Sequence, residues 1–443
     1  MNMPPPAVAP TARALPGSNP SASASSVSSP SRARRVVAGW FEGTPGSLRF
    51  RGAISVFMCI IFGVAAFSGA LALDRSVNGQ RNDAAQLVRV ESIRTNLVKA
   101  DANATNAFLV GGLEPADARA AYTSGISAAA RALAESAGAN GGDAPVLRRV
   151  NEVVTTYTGL IESARANNRQ GFPVGAAYLR QASKVMQEQA LPALDSLVTG
   201  ARNRVDAASR SLALPIVVIV TLLALATLLI VQVWIFRRTH RVFNVALVTA
   251  TALVLILGAT TIGGMSWSQS AAKKVRQGAF ARTVALATAR SDGFDAKSAE
   301  ALTLVNRGSG QAYDQRFVSV ASAAGRALDA GVAPVAPDPA ATDARTAFVQ
   351  YLADHAEVRK LDNGGQWEKA VAAATGRGAA NRSFGRFERA SGRAIVHQAS
   401  KVSDDLDSAR RPLVPLAWLA LLAGLAAAGL ASRGLNQRLR EYR

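Results

Sequence analysis

The chain holds one cysteine, Cys59, and three histidines, His240, His355 and His397, in 443 residues. A single thiol cannot form an intramolecular disulfide, so no disulfide framework holds the chain together. The histidines are scattered, with no cysteine or carboxylate at ligand spacing. No transition-metal site is indicated, and each histidine reads as a solvent-facing helix residue. Aromatic residues make up only 6% of the chain and are not interleaved with basic ones, so the net charge of +20 does not read as a nucleic-acid surface. Absent too are the phosphate-binding G-x-x-x-x-G-K-[ST] loop, a strand followed by the dinucleotide glycine fingerprint, and the serine nucleophile elbow. Asp404, Asp405 and Asp407 cluster in an Arg-rich helical stretch, where an ion-paired solvated face is expected and acid-base chemistry is not. The expectation is a chain with no catalytic residue, no cofactor and no metal.

Four hydrophobic runs without a charge stand out instead: 52–73, 211–236, 242–272 and 412–432. Each reaches the roughly 20 residues needed to cross about 30 Å of hydrocarbon, so the chain reads as a membrane protein with transmembrane helices at 52–73, 211–236, 242–265 and 412–432. Only a short polar turn, 237–241, separates the second span from the third. The two large segments, 74–210 and 266–411, must then lie on one side. Arg237, Arg238 and Arg241 in the turn, Arg49 and Arg51 before the first span, and the basic tail 433–443 place the short ends in the cytoplasm and both large segments outside. Lys273, Lys274, Arg276, Arg410 and Arg411 flank spans on the outer side, where long translocated segments are largely exempt from the charge rule. The expected location is the plasma membrane, with both termini cytoplasmic.

Residues 1–48 form the arm before the first span, and its Pro-, Ser- and Ala-rich beginning reads as disordered. The first span reads as an uncleaved anchor, because the arm before it is long and its apolar run exceeds a signal core. No span contains a charge, and Pro215, Pro412 and Pro415 sit at span ends. That suits anchoring and signalling better than conduction. Ala420, Gly424 and Ala428 share one face of the last span, a surface that admits close helix packing, although so Ala-rich a run produces such spacing by composition alone. Arg237, Arg238 and Arg241 fit lipid anchoring, with a cytoplasmic docking site as the alternative.

Within the first large segment, Val90, Ile93, Leu97, Ala100, Ala104 and Ala107 recur at steps of three and four, the seam of a packed helix. Val146, Val150, Val153, Tyr157, Leu160 and Ala164 mark another, and Leu191, Leu194, Val198, Ala201, Val205 and Ala208 a last one. A further helix runs from Pro115 to about Ser136, after the Gly111-Gly112 break. The reading is an antiparallel four-helix bundle whose outer helices continue into the membrane. The second segment repeats the plan with Val284, Ala287, Ser291, Phe294, Ser298, Ala301 and Val305, broken at Arg307 to Gly310 and across Pro334 to Pro339. Asp101 and Asp295, Ala107 and Ala301, and Tyr157 and Tyr351 share one offset of 194 residues. A common offset at separated places points to internal duplication, with both tyrosines in cores. The fold class is therefore all-α, with four transmembrane helices and two tandem extracytoplasmic four-helix bundles.

The segment 88–109, VRVESIRTNLVKADANATNAFL, resembles the first helix of the four-helix-bundle sensor domains of chemoreceptors and histidine kinases. Those proteins continue into signalling and output domains, whereas here only the 237–241 turn and residues 433–443 follow a pair of spans. The layout and length are similar to the GlnX family, four-span actinobacterial membrane proteins that act with the GlnH binding lipoprotein and the soluble Ser/Thr kinase PknG. A bias toward Arg over Lys and abundant Ala fit a GC-rich actinobacterial genome. The resemblance implies a non-enzymatic transducer that relays amino-acid availability from an extracytoplasmic binding lipoprotein to a cytoplasmic kinase. It carries over no catalytic residue. The alternative is an envelope scaffold or an accessory subunit of a transport complex.

Overall fold

The computed structural model describes residues 44–110, 114–170, 173–208, 212–239, 244–335 and 337–440. Every regular element among them is helical, and four helices are long and apolar enough to cross a membrane. The protein is an all-α membrane protein.

Helix α1, Thr44–Val110, runs 67 residues without a break, about 100 Å at 1.5 Å per residue. No proline lies between Pro45 and Pro115 to remove a backbone donor or clash with the preceding turn. The arm expected over 1–48 lies outside the described residues as far as 43, and from Thr44 onward the backbone is helical. After α1 come α2, Ala116–Ala139, and α3, Ala144–Arg169. Then α4, Val174–Val185, passes through a π turn, Met186–Ala190, into α5, Leu191–Ala208. Pro192 explains that turn: its ring excludes the carbonyl of Glu188, and the wider π register absorbs the mismatch. The Gly111-Gly112 break lies outside the described residues.

Helix α6, Ala213–Thr239, carries Pro215 in its first turn, where a missing donor costs nothing. It is helical through Arg237 to Thr239, and the rest of the expected turn, His240 and Arg241, lies outside the described residues. Helix α7, Val245–Val275, joins α8, Ala281–Val305, through a second π turn, Arg276–Phe280. The second module continues with α9, Gln311–Gly331, α10, Pro339–Asn363, the short α11, Trp367–Ala374, and α12, Ala379–Arg410. Pro412, which has no N–H to continue the α12 hydrogen-bond ladder, marks the two-residue join between α12 and α13, Leu413–Arg440.

The four apolar helices close a ring in the order α1, α6, α7, α13, with a small residue at each meeting point. Gly63 and Gly424 bring α1 and α13 into backbone contact. A Cβ on Gly69 would meet Val217 of α6, one on Gly258 would meet Thr221, and one on Gly264 would meet Leu416. Phe62, 1% exposed, sits near Gly258 and fills the ring's interior. At one end of the ring Leu435 packs with Val231, Ile235 and Leu247, the Asn244 amide donates to the Gly434 carbonyl, and Arg51 lies over the Trp234 ring. The start of α1, the end of α6, the start of α7 and the end of α13 therefore lie together. Both helical modules project from the opposite end.

The seam residues of α1 from Val90 to Ala107 are all buried. In α3 the core register shifts at its ends: Leu147 and Ile161 are buried, whereas Val146 and Leu160 are only half-buried. Tyr157 and Tyr351 are fully buried, each in its own module.

Candidate functional site

The two modules do not stand apart. Helix α8 packs against α1 along its length, so it is enclosed by both modules, and residues 293–304 are buried on every face. Small residues make this possible: Gly293, Ala296, Ser298, Ala299 and Ala301 leave room for a neighbour on each side. A Cβ on Gly293 would strike the Phe387 ring.

Asp101, 3% exposed, lies at the centre of this seam. Its Oδ2 accepts from Ser298 Oγ of the second module at 2.6 Å. Its Oδ1 accepts from Ser183 Oγ at 2.8 Å and Tyr157 OH at 3.3 Å. One carboxyl thus joins α1, α3, α4 and α8. Burial pushes its pKa up, against the lowering effect of the Ser298 and Ser183 hydrogen bonds. Asp295, at the matching position of α8, takes the guanidinium of Arg316 instead, at 2.7 and 3.1 Å.

Two turns nearer the spans, Arg94 of α1 faces three acids from three helices. Its guanidinium is 3.4 Å from Asp292 of α8, 3.6 Å from Asp195 of α5 and 4.0 Å from Glu91 of α1. Arg94 is shared among three carboxylates, and Arg202 of α5 also acts on Glu91. Glu91 is 2% exposed and its Oε2 has no hydrogen-bond partner among the described residues. Burial raises its carboxyl to about 7 and that of Asp292 to about 6.

The second module buries a charged group of its own. Lys297 Nζ pairs with Glu300 Oε1 at 2.5 Å and donates to the Ala374 carbonyl at 2.7 Å, while His355 Nδ1 lies 2.7 Å from Glu300 Oε2. The His355 ring stacks on Phe317 at 3.5 Å between centroids, and Lys297 lies over the Tyr351 ring at 5.6 Å. Burial alone would raise the Glu300 carboxyl, but Lys297 and His355 together hold it below the usual range. This corrects the reading of His355 as a solvent-facing residue: it is 6% exposed and bonded to a buried acid. His397 is exposed but bonds Asp338, which caps α10 through the Ala340 N–H. His240 lies outside the described residues.

At the base of the modules, Arg410 of α12 grips Asp74 at 3.0 Å and Asn78 at 2.7 Å on α1. One turn further out, Arg81 reaches Ser403 and Asp407. Arg276 pairs with Asp206 at 3.6 Å. Basic residues flanking the spans at this end therefore hold helices to one another. Among the candidates read from the sequence, Ala420, Gly424 and Ala428 are all buried, Gly424 against Gly63. Arg237 is exposed at the far end of α6. The sequence did not single out Asp101, Glu91, Arg94, Lys297 or Glu300 as functional. The one available signal was small residues on all faces of α8.

Clefts open along the seam. One of about 420 Å³ lies between α1, the π turn and α12, lined by Arg81, Arg89 and Phe280 among others. Another of about 260 Å³ lies further out, between α1, α8 and α12, with Glu91 in its wall. A small cavity of about 80 Å³ sits at the distal end of the first module beside Arg165, whose guanidinium is held by Glu114 and Glu162 over the Tyr122 ring.

Residues 76–210 match the family model of an actinobacterial sensor domain. The match covers the first module, including Glu91, Arg94 and Asp101, and fits a sensor protein of actinobacteria with a signal-sensing role. No curated protein and no solved structure matches the chain.

Proposed function

We propose that the chain is a non-enzymatic transmembrane signal transducer in the plasma membrane, with both termini and the 237–241 turn in the cytoplasm. It relays extracytoplasmic amino-acid availability, received through a solute-binding lipoprotein, to a cytoplasmic Ser/Thr kinase. The observation that carries this reading is mechanical. Helix α1 runs unbroken from the spans into the seam, α7 and α8 follow through a single π turn, and Asp101 and Ser298 lock the two together. A partner that tilts one module shifts the other, and a displacement of about 1–2 Å along packed helices suffices for transmission. A coupling free energy of about 1–3 kcal/mol would bias the output usefully. The matched sensor domain supports placing reception in the first module. The shared positions Asp101 and Asp295, and Tyr157 and Tyr351, support an origin of the two modules by duplication.

Photo-crosslinking tests the relay. Reporters on exposed module faces are expected to capture a solute-binding protein, and reporters at 237–241 a kinase, with yields that change with amino-acid supply. No capture at either site under any supply would remove the relay.

A further inference from the structure

We propose that the cleft between α1, the π turn at 276–280 and α12 binds a small soluble amphiphile, a carboxylate on an apolar body, whose head group pairs with Arg89. Arg89 is half-buried and lines the cleft without a carboxylate partner among the described residues. Its one hydrogen bond there runs from Nη1 to Gln86 Oε1 at 3.3 Å, so Nε and Nη2 keep free donors, and neither is sealed from solvent. Gln86 is fixed in turn: its Nε2 donates to the Ser136 carbonyl and to Asp143 Oδ2, each at 3.1 Å. Asp143 itself pairs with Arg204 at 3.2 Å, so that acid is already taken. A guanidinium held in place with two open N–H donors is matched by the two oxygens of a carboxylate.

The walls fit the rest of such a ligand. No acid lines the cleft among the described residues. Arg81, at the end nearer the spans, is committed to the Ser403 hydroxyl and to Asp407, each at 3.3 Å. The cleft's uncommitted charge is therefore a cation at its outer end. Arg81 and Arg89 lie about 12 Å apart along α1, and between them Ala85 and Val88 of α1, Phe280 of the π turn and Ala399 and Val402 of α12 supply apolar surface. Its volume of about 420 Å³ is that of a small-molecule pocket. Lipid head groups extend roughly 5–8 Å beyond the hydrocarbon, whereas Arg89 follows Leu73, the end of the first apolar run, by about 24 Å of helix. The head group therefore binds in water, beyond the reach of lipid phosphate. Because α1 belongs to one module and the π turn and α12 to the other, the ligand braces the seam at the joint where α7 leads into α8.

The relay does not depend on this site, and the site is read by binding alone. The full chain in phosphatidylcholine nanodiscs is dialysed to equilibrium against radiolabelled hexanoate at pH 7 and about 0.15 M salt, with empty nanodiscs as the blank. Saturable binding is expected, displaced by unlabelled hexanoate. At equal concentration neither n-hexylamine, with the same body and the opposite charge, nor acetate, which lacks the body, is expected to displace it. Arg89→Gln is expected to weaken binding about tenfold or more, the loss of a charge-assisted pair, and Arg89→Lys to keep part of it. Ala85→Leu fills the cleft, leaves Arg89 in place and is expected to weaken binding as well. Melting temperatures of the variants separate lost binding from lost fold. Adding phosphatidylglycerol to the discs is expected to leave the affinity unchanged; loss of hexanoate binding there would put lipid in the cleft and overturn the soluble ligand. Absence of saturable binding, equal displacement by n-hexylamine, or unchanged affinity in Arg89→Gln also overturns the proposal.

Discussion

Ser298 of the second module donates its hydroxyl to Asp101 of the first across 2.6 Å, and both residues are almost wholly buried. This hydrogen bond, with Tyr157 and Ser183 on the other carboxyl oxygen, makes one acid the shared anchor of both modules. A small number of buried polar contacts thereby sets how the two bundles sit on each other.

Asp101→Ala strands three hydroxyls in a buried seam. Each orphaned buried group costs about 1–3 kcal/mol before relaxation, so a loss of about 3 kcal/mol is expected. Ser298→Ala removes a single donor and is expected to cost about 1 kcal/mol. Equilibrium unfolding of the full chain in detergent measures both. Equal losses for the two variants would remove Asp101 as the centre of the network.

Glu91 and Asp292 give the seam a pH dependence with a definite sign. Their folded values, about 7 and about 6, lie above the ordinary 4.5 and 3.8, so between those limits the folded chain binds more protons than the unfolded one. Their contribution to stability is greatest below the ordinary values and falls as pH rises through the folded ones. For Glu91 the change is on the order of 2–3 kcal/mol. Unfolding measured from pH 4.5 to 8 is expected to show this decline, and Glu91→Gln is expected to flatten it. A Glu91→Gln profile as steep as the wild type would contradict the assignment.

Lys297 and Glu300, at 3% and 1% exposure, depend on each other. Removing one leaves the other charged and buried, so Glu300→Leu or Lys297→Met alone is expected to cost about 3–5 kcal/mol. The double variant removes both charges but strands the His355 ring nitrogen and the Ala374 carbonyl, so it is expected to recover only part of that. A double-mutant cycle reads the coupling directly, and additive losses would show that the pair is not coupled.

Gly424 sits where two helix backbones meet in the membrane ring: a Cβ there would stand 2.5 Å from Gly63 Cα and 2.7 Å from the Cys59 carbonyl. Backbone cannot yield as a side chain does, so Gly424→Ile is expected to push α13 off α1 and cost about 1–3 kcal/mol. Gly429→Ile, with open space around it, is the control and is expected to be near neutral. Similar melting temperatures for the two variants would argue against the contact.

Much of the fold was legible in the sequence because the relevant forces are local. The buried seam from Val90 to Ala107 follows from helical period, and the turn at Arg307 and Gly308 from a glycine that takes φ of 85°. The small face at Gly424 was also visible, although not its partner. His355 was not legible: nothing near it in the chain shows that Glu300 and Phe317 surround it. The one-residue shift in α3, from Val146 to Leu147, reflects which neighbours the helix meets, and a heptad reading cannot distinguish adjacent apolar residues.

The sequence by itself determined that this chain is helical and membrane-spanning. A span depends only on an apolar run long enough to cross hydrocarbon, within a helix that satisfies its own backbone hydrogen bonds. Tertiary structure alone decided that α8 is enclosed on all sides, that Asp101 reaches Ser298, and that the Glu91 Oε2 is buried near Arg94 without a hydrogen bond. Those outcomes depend on which distant helices share a volume, and the cost of burying a polar group is set by the partners it finds there.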